Sequence, residues 1–317
     1  MDKGKHHYLY YITKQTKRHN LDNISRTNAY FHFYLLFPEI KWAFLASLVS
    51  RNAGWNMTDL KLAPFHKILH QEERKRLFMT YERANWLIFS DAFPQLLIYQ
   101  LSLQQHKPLF YLLEKFHVSQ FMIKEWEYFW ENQDQERLMI ALIINEQNVI
   151  ETPVIQNNYF QKRVFFQMPY RIQNWLLMNA VLLPTRSNSL YGRFVKDFTT
   201  LTNRITLGKE IASILFHPHY YESIFDFAVT TEHTGSRCDY EKYMGASLTK
   251  RVMVRTTYPP ISHQDNIRKD WYLYRGIRQK WLQPCSLPKS YKDTGKRFYK
   301  KRNMLYAYYH LKNSLFT

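Results

Sequence analysis

The chain has 317 residues, 45% of them hydrophobic and 17% aromatic, which is too apolar for global disorder and long enough to bury roughly 75% of the unfolded surface without a disulfide or metal staple. Its eight glycines are too scattered for a dinucleotide fingerprint or a P-loop, and its two cysteines lack the spacing of a disulfide framework. The net charge of +18 is unevenly placed, with +4 in residues 1–20, +1 in 21–245 and +13 in 246–317.

This distribution divides the chain into a basic N-terminal segment (1–20), a nearly neutral body (21–245) and a basic C-terminal extension (246–317). Such asymmetry points to a polyanionic partner, either nucleic acid or an anionic membrane surface. The alternative is a basic segment that packs on the protein's own acidic groups. The N-terminus lacks the apolar core and cleavage site of a signal peptide, and the best apolar run, Leu87 to Leu101, is broken by Asp91, Pro94 and Gln95. A cytoplasmic setting is expected.

In chain order, Ser25 or Thr27 can cap a helix to about Phe37. Pro38 suits a first helical turn. From Ile40 to Val49 nearly every position is apolar or small, so this helix should be buried on all sides. It delivers Ser50, Arg51 and Asn52 to its end, and Gly54 offers a left-handed stop. A helix from about Glu72 to Ser90 places Glu82 and Asn85 on a mainly apolar face, with Asp91 expected to cap or kink it ahead of Pro94. Pro108 can open a helix over Leu109 to Phe116, and Ser119 and Asp134 can cap the next two. In the last of these, Asn145 and Glu146 interrupt apolar rows.

Arg163 to Gln167 has no clear pattern. Tyr170 to Leu183 reads as a helix stopped by Pro184. Ser189 caps another, interrupted at Gly208, and Tyr220 to Val229 forms a further one. Thr249 to Tyr258 alternates enough for a strand or extended arm, and Pro259-Pro260 marks a linker. Trp271, Tyr274, Arg278 and Trp281 share one helical face. Lys296 to Leu315 reads as a basic helix with Phe298 and Leu305 on its apolar side. The expected fold is mainly α, a multi-helix bundle with a basic, partly extended and helical C-terminal extension.

Polar groups inside apolar helices need partners, and Arg51, Asn52, Glu82, Asn85, Asp91, Asn145 and Glu146 all fall in such places. Glu82 and Glu146 facing Arg51 across a pocket could act as general acid and base or hold a metal; the alternative is a structural network that fixes helix register. In HTGSRCDY, Ser236 and Arg237 could hold a phosphate with His233 as acid or base. Otherwise it is a capped turn in which Asp239 pairs with Arg237. His66 and His70 have the i, i+4 spacing of zinc ligands but lack the adjoining glutamate. No metal site and no cofactor is assigned.

Two functions follow. The first is a non-enzymatic protein engaging a polyanion through its basic extension, with Trp271, Arg278, Trp281, Lys300, Lys301 and Arg302 as nucleic-acid contacts. The second is a hydrolase of a phosphate-containing substrate, with Glu82, Glu146, His233 and Arg237 around one pocket.

The segments RTNAYFHFYLLFPEIKWAFLASLVSRNAGWNMTDLK, YERANWLIFSDAFPQLLIY, ALIINEQNVIE and HTGSRCDY resemble the YppC-like family of Gram-positive spore-forming bacteria, a domain of unknown function. The resemblance spans about Arg26 to Tyr240 and leaves the basic tail outside. It implies a bacterial, cytoplasmic protein and transfers no catalytic role.

Overall fold

The centre of the molecule is a pair of closely packed helices, α2 (Asn23–Leu36) and α3 (Lys41–Asp59), preceded by α1 (Asp2–His19). The computed structural model describes residues 2–158, 180–195, 197–245, 251–264, 267–285, 291 and 293–315. The cap of α2 is Asp22, whose side chain accepts from the Ser25 N–H at 2.7 Å, rather than Ser25 or Thr27. Pro38 lies in the turn before α3, ahead of its N-cap Ile40.

Helix α3 is buried nearly all round, as its composition demands, with Phe44, Leu48, Trp55 and Met57 fully enclosed. It does not stop at Gly54 but runs through it to Asp59. Gly54 is there for close approach: a Cβ at this position would collide with Asn23 Oδ1 and sit 3.1 Å from His233 Cε1. Gly208 has the same role in another helix, where a Cβ would stand 2.7 Å from Ile143 Cγ2.

Helix α4 (Ala63–Ile68) is followed by α5 (Gln71–Gln104), a single 34-residue rod that spans about 51 Å at 1.5 Å per residue. His70 caps α5 and lies outside α4, so His66 and His70 do not share a helix face. The expected break at Asp91 is absent, and Pro94 is buried inside the rod. The missing proline N–H is tolerated because neighbouring elements hold this part of the helix on every side. A 3-10 helix (Phe110–Phe116) leads to α6 (Gln120–Asn132) and α7 (Gln135–Ile150). Their caps are as expected, Ser119 Oγ accepting from Met122 N–H at 3.3 Å and Asp134 from Arg137 N–H at 3.0 Å. A π-helical turn, Glu151–Ile155, extends α7. The stretch Gln135–Ile155 is long and apolar enough to cross a membrane, yet 72% of that window is buried within the protein.

Arg163 to Gln167 and Tyr170 to Ala180 fall outside the described residues except for Ala180 itself. From there the chain is extended rather than helical. Strand β1 (Ala180–Pro184) pairs antiparallel with β2 (Leu190–Phe194), Leu182 opposite Gly192. Asn52 completes the hairpin from α3: its Nδ2 donates to Leu182 O at 2.8 Å and its Oδ1 accepts from Leu182 N at 2.7 Å. A side-chain amide thus takes the place of a third strand and satisfies a buried backbone edge.

Helices α8 (Leu201–Leu215) and α9 (Tyr221–Thr230) follow, then the short α10 (Cys238–Glu241). The first of these runs uninterrupted through Gly208. Beyond residue 250 come α11 (Val254–Thr257), α12 (Trp271–Arg275), α13 (Gln279–Leu282) and α14 (Gly295–Leu315). In the described part of Thr249 to Tyr258, residues 251–253 have no regular structure and 254–257 form a helical turn, where a strand or extended arm was expected. Gly276 at φ 66 separates α12 from α13, so Trp271 and Trp281 do not share one helix. C-terminal side chains enter all three apolar clusters of the protein. Trp271, Trp281 and Tyr291 join the main core, Leu305 packs with Met57 and Phe65, and Phe298 packs with Trp55 and Tyr240. Each large side chain buried this way stabilises the fold by roughly 1.5–3 kcal/mol.

Candidate functional site

The polar groups singled out in the sequence resolve into separate networks. The first is built from α3 and the segment 233–241. Asp59, at the end of α3, takes Arg237 Nε at 3.0 and 2.8 Å on its two oxygens. Arg237 also donates to Tyr240 OH at 2.9 Å and Asn56 Oδ1 at 3.0 Å. Its expected partner, Asp239, instead accepts from Trp55 Nε1 at 3.2 Å and from Thr234 N–H at 3.0 Å and Oγ1 at 2.5 Å. Ser236 Oγ accepts from Cys238 N–H at 3.3 Å. Trp55, Asp59, Ser236, Arg237, Asp239 and Tyr240 are buried, and Asn56, Thr234 and Cys238 are half-buried. Burial pushes the Asp59 carboxyl up despite the opposing pull of Arg237.

His233 Nε2 lies 2.8 Å from Asn23 Oδ1, while Asn23 Nδ2 donates to Ser50 O at 2.7 Å. The Asn23 oxygen is thus the acceptor, and His233 carries its hydrogen on Nε2. The other ring nitrogen stands 3.6 Å from Asp239 Oδ2, too far for a hydrogen bond. Burial pushes the His233 pKa down to about 4, so the ring is neutral at pH 7. Among the described residues Arg51 does not hydrogen-bond a carboxylate. It donates to Thr231 O at 2.9 Å and Ala228 O at 3.1 Å, closing the carbonyl end of α9 where a cation is favoured. Burial pushes its pKa down to about 10.

The second network joins α2 to α5. Arg26 Nη2 donates to Glu82 Oε2 at 2.5 Å, and His263 Nε2 stands 3.6 Å from the other oxygen. Burial pushes the Glu82 carboxyl up, but His263 and Arg26 outweigh it and hold the group below its ordinary range. Asn85 only returns to its own helix, donating to Tyr81 O at 2.8 Å.

The third network lies between α5, α6, α7 and α12. Asp91 Oδ2 accepts from Gln95 Nε2 at 2.8 Å and Asn145 Nδ2 at 2.6 Å. Asn145 Oδ1 accepts from Ser119 Oγ at 3.1 Å and Trp271 Nε1 at 2.9 Å. Arg268 stands 3.8 Å from Asp91 and donates to Ser90 Oγ and Phe116 O, each at 2.8 Å. Glu146 is apart from all three. Its Oε2 accepts from Trp42 Nε1 at 3.1 Å and its Oε1 from Gln147 at 3.0 Å. Burial pushes its pKa up to about 7.

Glu82, Glu146, His233 and Arg237 form no hydrogen bond or ion pair with one another among the described residues; the pocket that was to unite them is replaced by distinct sets of partners. No group of three His, Cys, Asp or Glu side chains suited to a metal is present among the described residues.

The basic C-terminal stretch and the embedded acids largely explain one another. Arg255 Nε donates to Asp22 at 2.7 Å, His263 faces Glu82, Arg268 faces Asp91, and Arg302 pairs with Glu241. Of the expected nucleic-acid contacts, Trp271, Trp281 and Arg302 are buried at 4%, 5% and 4% exposure and so offer no free ring or guanidinium to a base. Trp281 Nε1 donates to Thr202 Oγ1 at 3.2 Å. Arg278 and Lys300 are exposed and Lys301 is half-buried.

Reading the sequence missed Asn23, Arg26 and Asp59. The signal was present in α2, where Asn23, Arg26, Thr27, Tyr30, Phe33 and Tyr34 make one helical row, all buried. The polar members of such a row need partners as surely as those of α3.

A mainly helical body of buried charge networks, closed by its own basic C-terminal segment, is the frame of this protein. The chain belongs to the family described as Protein of unknown function (DUF2515), whose model matches residues 18–303. It is 49% identical over 294 residues to the Uncharacterized protein YppC of Bacillus subtilis (strain 168), covering 92% of each chain. The match therefore includes most of the basic tail, which the sequence resemblance had left outside. No solved structure matches this chain.

Proposed function

We propose that this is a non-enzymatic protein that binds a polyanion along the outer face of α14. The observation that carries this reading is the disposition of charge on that helix. Phe298, Arg302 and Leu305 are buried, and their spacing puts them on one side. Lys296 and Lys300 lie on the opposite side and Arg297 and Lys301 on the flank beside it, and none of the four makes an ion pair among the described residues. Arg297 and Lys301 lie over the Phe194 ring, 4.9 and 5.9 Å from its centre. Beside them runs a groove of about 710 Å³, lined by Arg193, Asn203, Thr206, Lys296 and Arg297 together with Glu210 and Asp293.

Nucleic acid is the favoured partner. A membrane-binding amphipathic helix inserts its apolar face, and that face of α14 is engaged with the protein. The carboxylates marked in the sequence are engaged with internal partners, which supports binding over hydrolysis.

The test is fluorescence anisotropy of labelled single-stranded and duplex DNA, with anionic vesicles in parallel. The full chain is compared with the K296Q/R297Q/K300Q/K301Q variant. Point changes are needed because removing residues 246–317 would strip side chains from every apolar cluster. Four phosphate contacts imply roughly a hundredfold loss of affinity between 50 and 200 mM salt. The variant should lose most of the affinity and of that salt dependence. No DNA binding at 50 mM salt, or equal binding by the variant, refutes the reading; vesicle binding alone would transfer it to lipid.

A further inference from the structure

The groove of about 710 Å³ beside α14 runs between α8, strand β2 and the start of α14, and its volume falls within the range of about 300–1,000 Å³ typical of ligand sites. Its walls are fastened to one another. Thr294 donates through its N–H to Leu190 O at 2.8 Å and through Oγ1 to Gly192 O at 3.1 Å. The rim is cationic, with Arg297 and Lys301 seated over the Phe194 ring. The interior instead offers acceptors. Glu210, half-buried on α8, receives Arg193 Nε on its Oε2 at 3.1 Å, and its Oε1 makes no hydrogen bond among the described residues. Asp293, which is exposed, receives Gly295 N–H on its Oδ1 at 2.7 Å and leaves Oδ2 open in the same way. Asn203 donates from Nδ2 to Asp197 at 3.2 Å and keeps its carbonyl oxygen. Leu207 adds an apolar surface.

Two carboxylates inside the groove repel a phosphate. A bound strand therefore keeps its phosphates on the rim cations and turns its bases inward. Guanine suits these acceptors best. Its Watson–Crick edge presents N1–H and an amino group side by side, two donors matched to the two oxygens of one carboxylate. Adenine and cytosine set a ring acceptor beside their amino group, and thymine sets carbonyls beside its single N–H, so each puts an acceptor against a carboxylate oxygen. In a duplex the guanine edge is taken by cytosine, so only an unpaired guanine offers it. Each carboxylate oxygen has two lone pairs, which lets Glu210 Oε2 accept from a base while Arg193 stays in place. Arg193 lies over the Tyr291 ring at 5.0 Å and so holds that carboxylate from a fixed position.

We propose that this groove takes an unpaired guanine of a single-stranded nucleic acid and that Glu210 reads it. The proposal rests on the polyanion reading of α14, because the rim cations hold the backbone of the strand.

The test is fluorescence anisotropy of the full chain at 50 mM salt with labelled single-stranded 12-mers. One is thymine throughout, one carries three separated guanines, and one carries hypoxanthine at those three places; each is used as DNA and as its uracil-containing RNA counterpart. In at least one of the two sugars the guanine strand should bind roughly five- to a hundredfold tighter than the guanine-free strand. Hypoxanthine keeps N1–H but lacks the amino group and should lose most of that gain. Duplexes with and without guanine should bind alike. Glu210→Gln alters a surface ion pair and leaves the fold intact. It should abolish the guanine preference while the guanine-free strand binds as well as before or tighter, since a negative charge has left the groove. The inference is overturned by equal binding of the guanine and guanine-free strands in both sugars, by hypoxanthine matching guanine, or by an unchanged preference in Glu210→Gln. Any of these results leaves the polyanion reading standing, whereas binding of no strand or duplex removes both.

Discussion

Replacing Gly54 with alanine sets two well-understood effects against each other. In an exposed helix interior, Gly→Ala stabilises by about 1 kcal/mol. Here the added methyl would collide with Asn23 Oδ1 and press on the His233 ring. Asn23 cannot swing away cheaply, because its amide joins Ser50 O to His233 Nε2 at 2.7 and 2.8 Å. Overpacking a closed site costs about 1–3 kcal/mol, and each buried hydrogen bond broken adds about 1 kcal/mol more. The net expectation is destabilisation by about 2–3 kcal/mol. Urea denaturation would read it as a lower midpoint with an unchanged slope. The double variant N23A/G54A should recover part of the loss relative to the sum of the single changes, giving a coupling of at least about 1 kcal/mol. A midpoint for Gly54→Ala equal to or above that of the unaltered chain would refute the close-approach account.

Glu146 and His233 give opposite pH dependences in overlapping windows. Glu146, pushed up from 4.5 to about 7, keeps in the folded state a proton that the unfolded chain releases, so its stabilisation is full below about pH 4.5 and lost as pH rises to about 7. With a discount for its partial exposure this amounts to about 1–2 kcal/mol. His233, pushed down from 6.5 to about 4, stabilises above about pH 6.5 and loses about 3 kcal/mol as pH falls to about 4. Glu146→Gln keeps an acceptor for Trp42 and should make stability rise more steeply between pH 4.5 and 7. His233→Asn should tilt the profile the other way, and denaturation midpoints that move in parallel across this range in all three proteins would contradict the assignment. Arg302→Met removes the guanidinium from the buried Glu241 and should cost about 3–5 kcal/mol. Thermal denaturation measures it, and a change under 1 kcal/mol would mean the pair does not anchor α14.

What the sequence disclosed was governed by how local each cause is. Ser119 and Asp134 were legible as caps because their acceptors lie three residues from the N–H they meet. The burial of α3 was legible from the run of apolar residues alone. Gly54, Gly208 and Pro94 misled because the local rules for stops describe an isolated helix, whereas here packing against Asn23, Ile143 and the surrounding core decides. The β1–β2 hairpin carries no two-residue turn signal, and its edge is completed by Asn52, far away in sequence. The ion pairs were the least legible of all. That Glu82, Asp91 and Asn145 needed partners followed from their neighbours, but Arg26, Arg268 and Trp271 as those partners follow only from the fold.

The closure of the body by its last elements has a bearing on how the protein is made. A chain leaves the ribosome N-terminus first at roughly 5–20 residues per second. When α10 has emerged, Glu241 still lacks Arg302, and the pockets for Trp271, Trp281, Phe298 and Leu305 stand open. The stretch from there through α14, roughly 65–75 residues, takes on the order of 3–15 s to synthesise. Throughout that interval the nascent body exposes apolar surface and carries charges selected for a partner not yet translated. Its native state becomes accessible only once α14 has been made, so a stop codon anywhere before α14 releases a chain suited to chaperones and proteases rather than a smaller working protein.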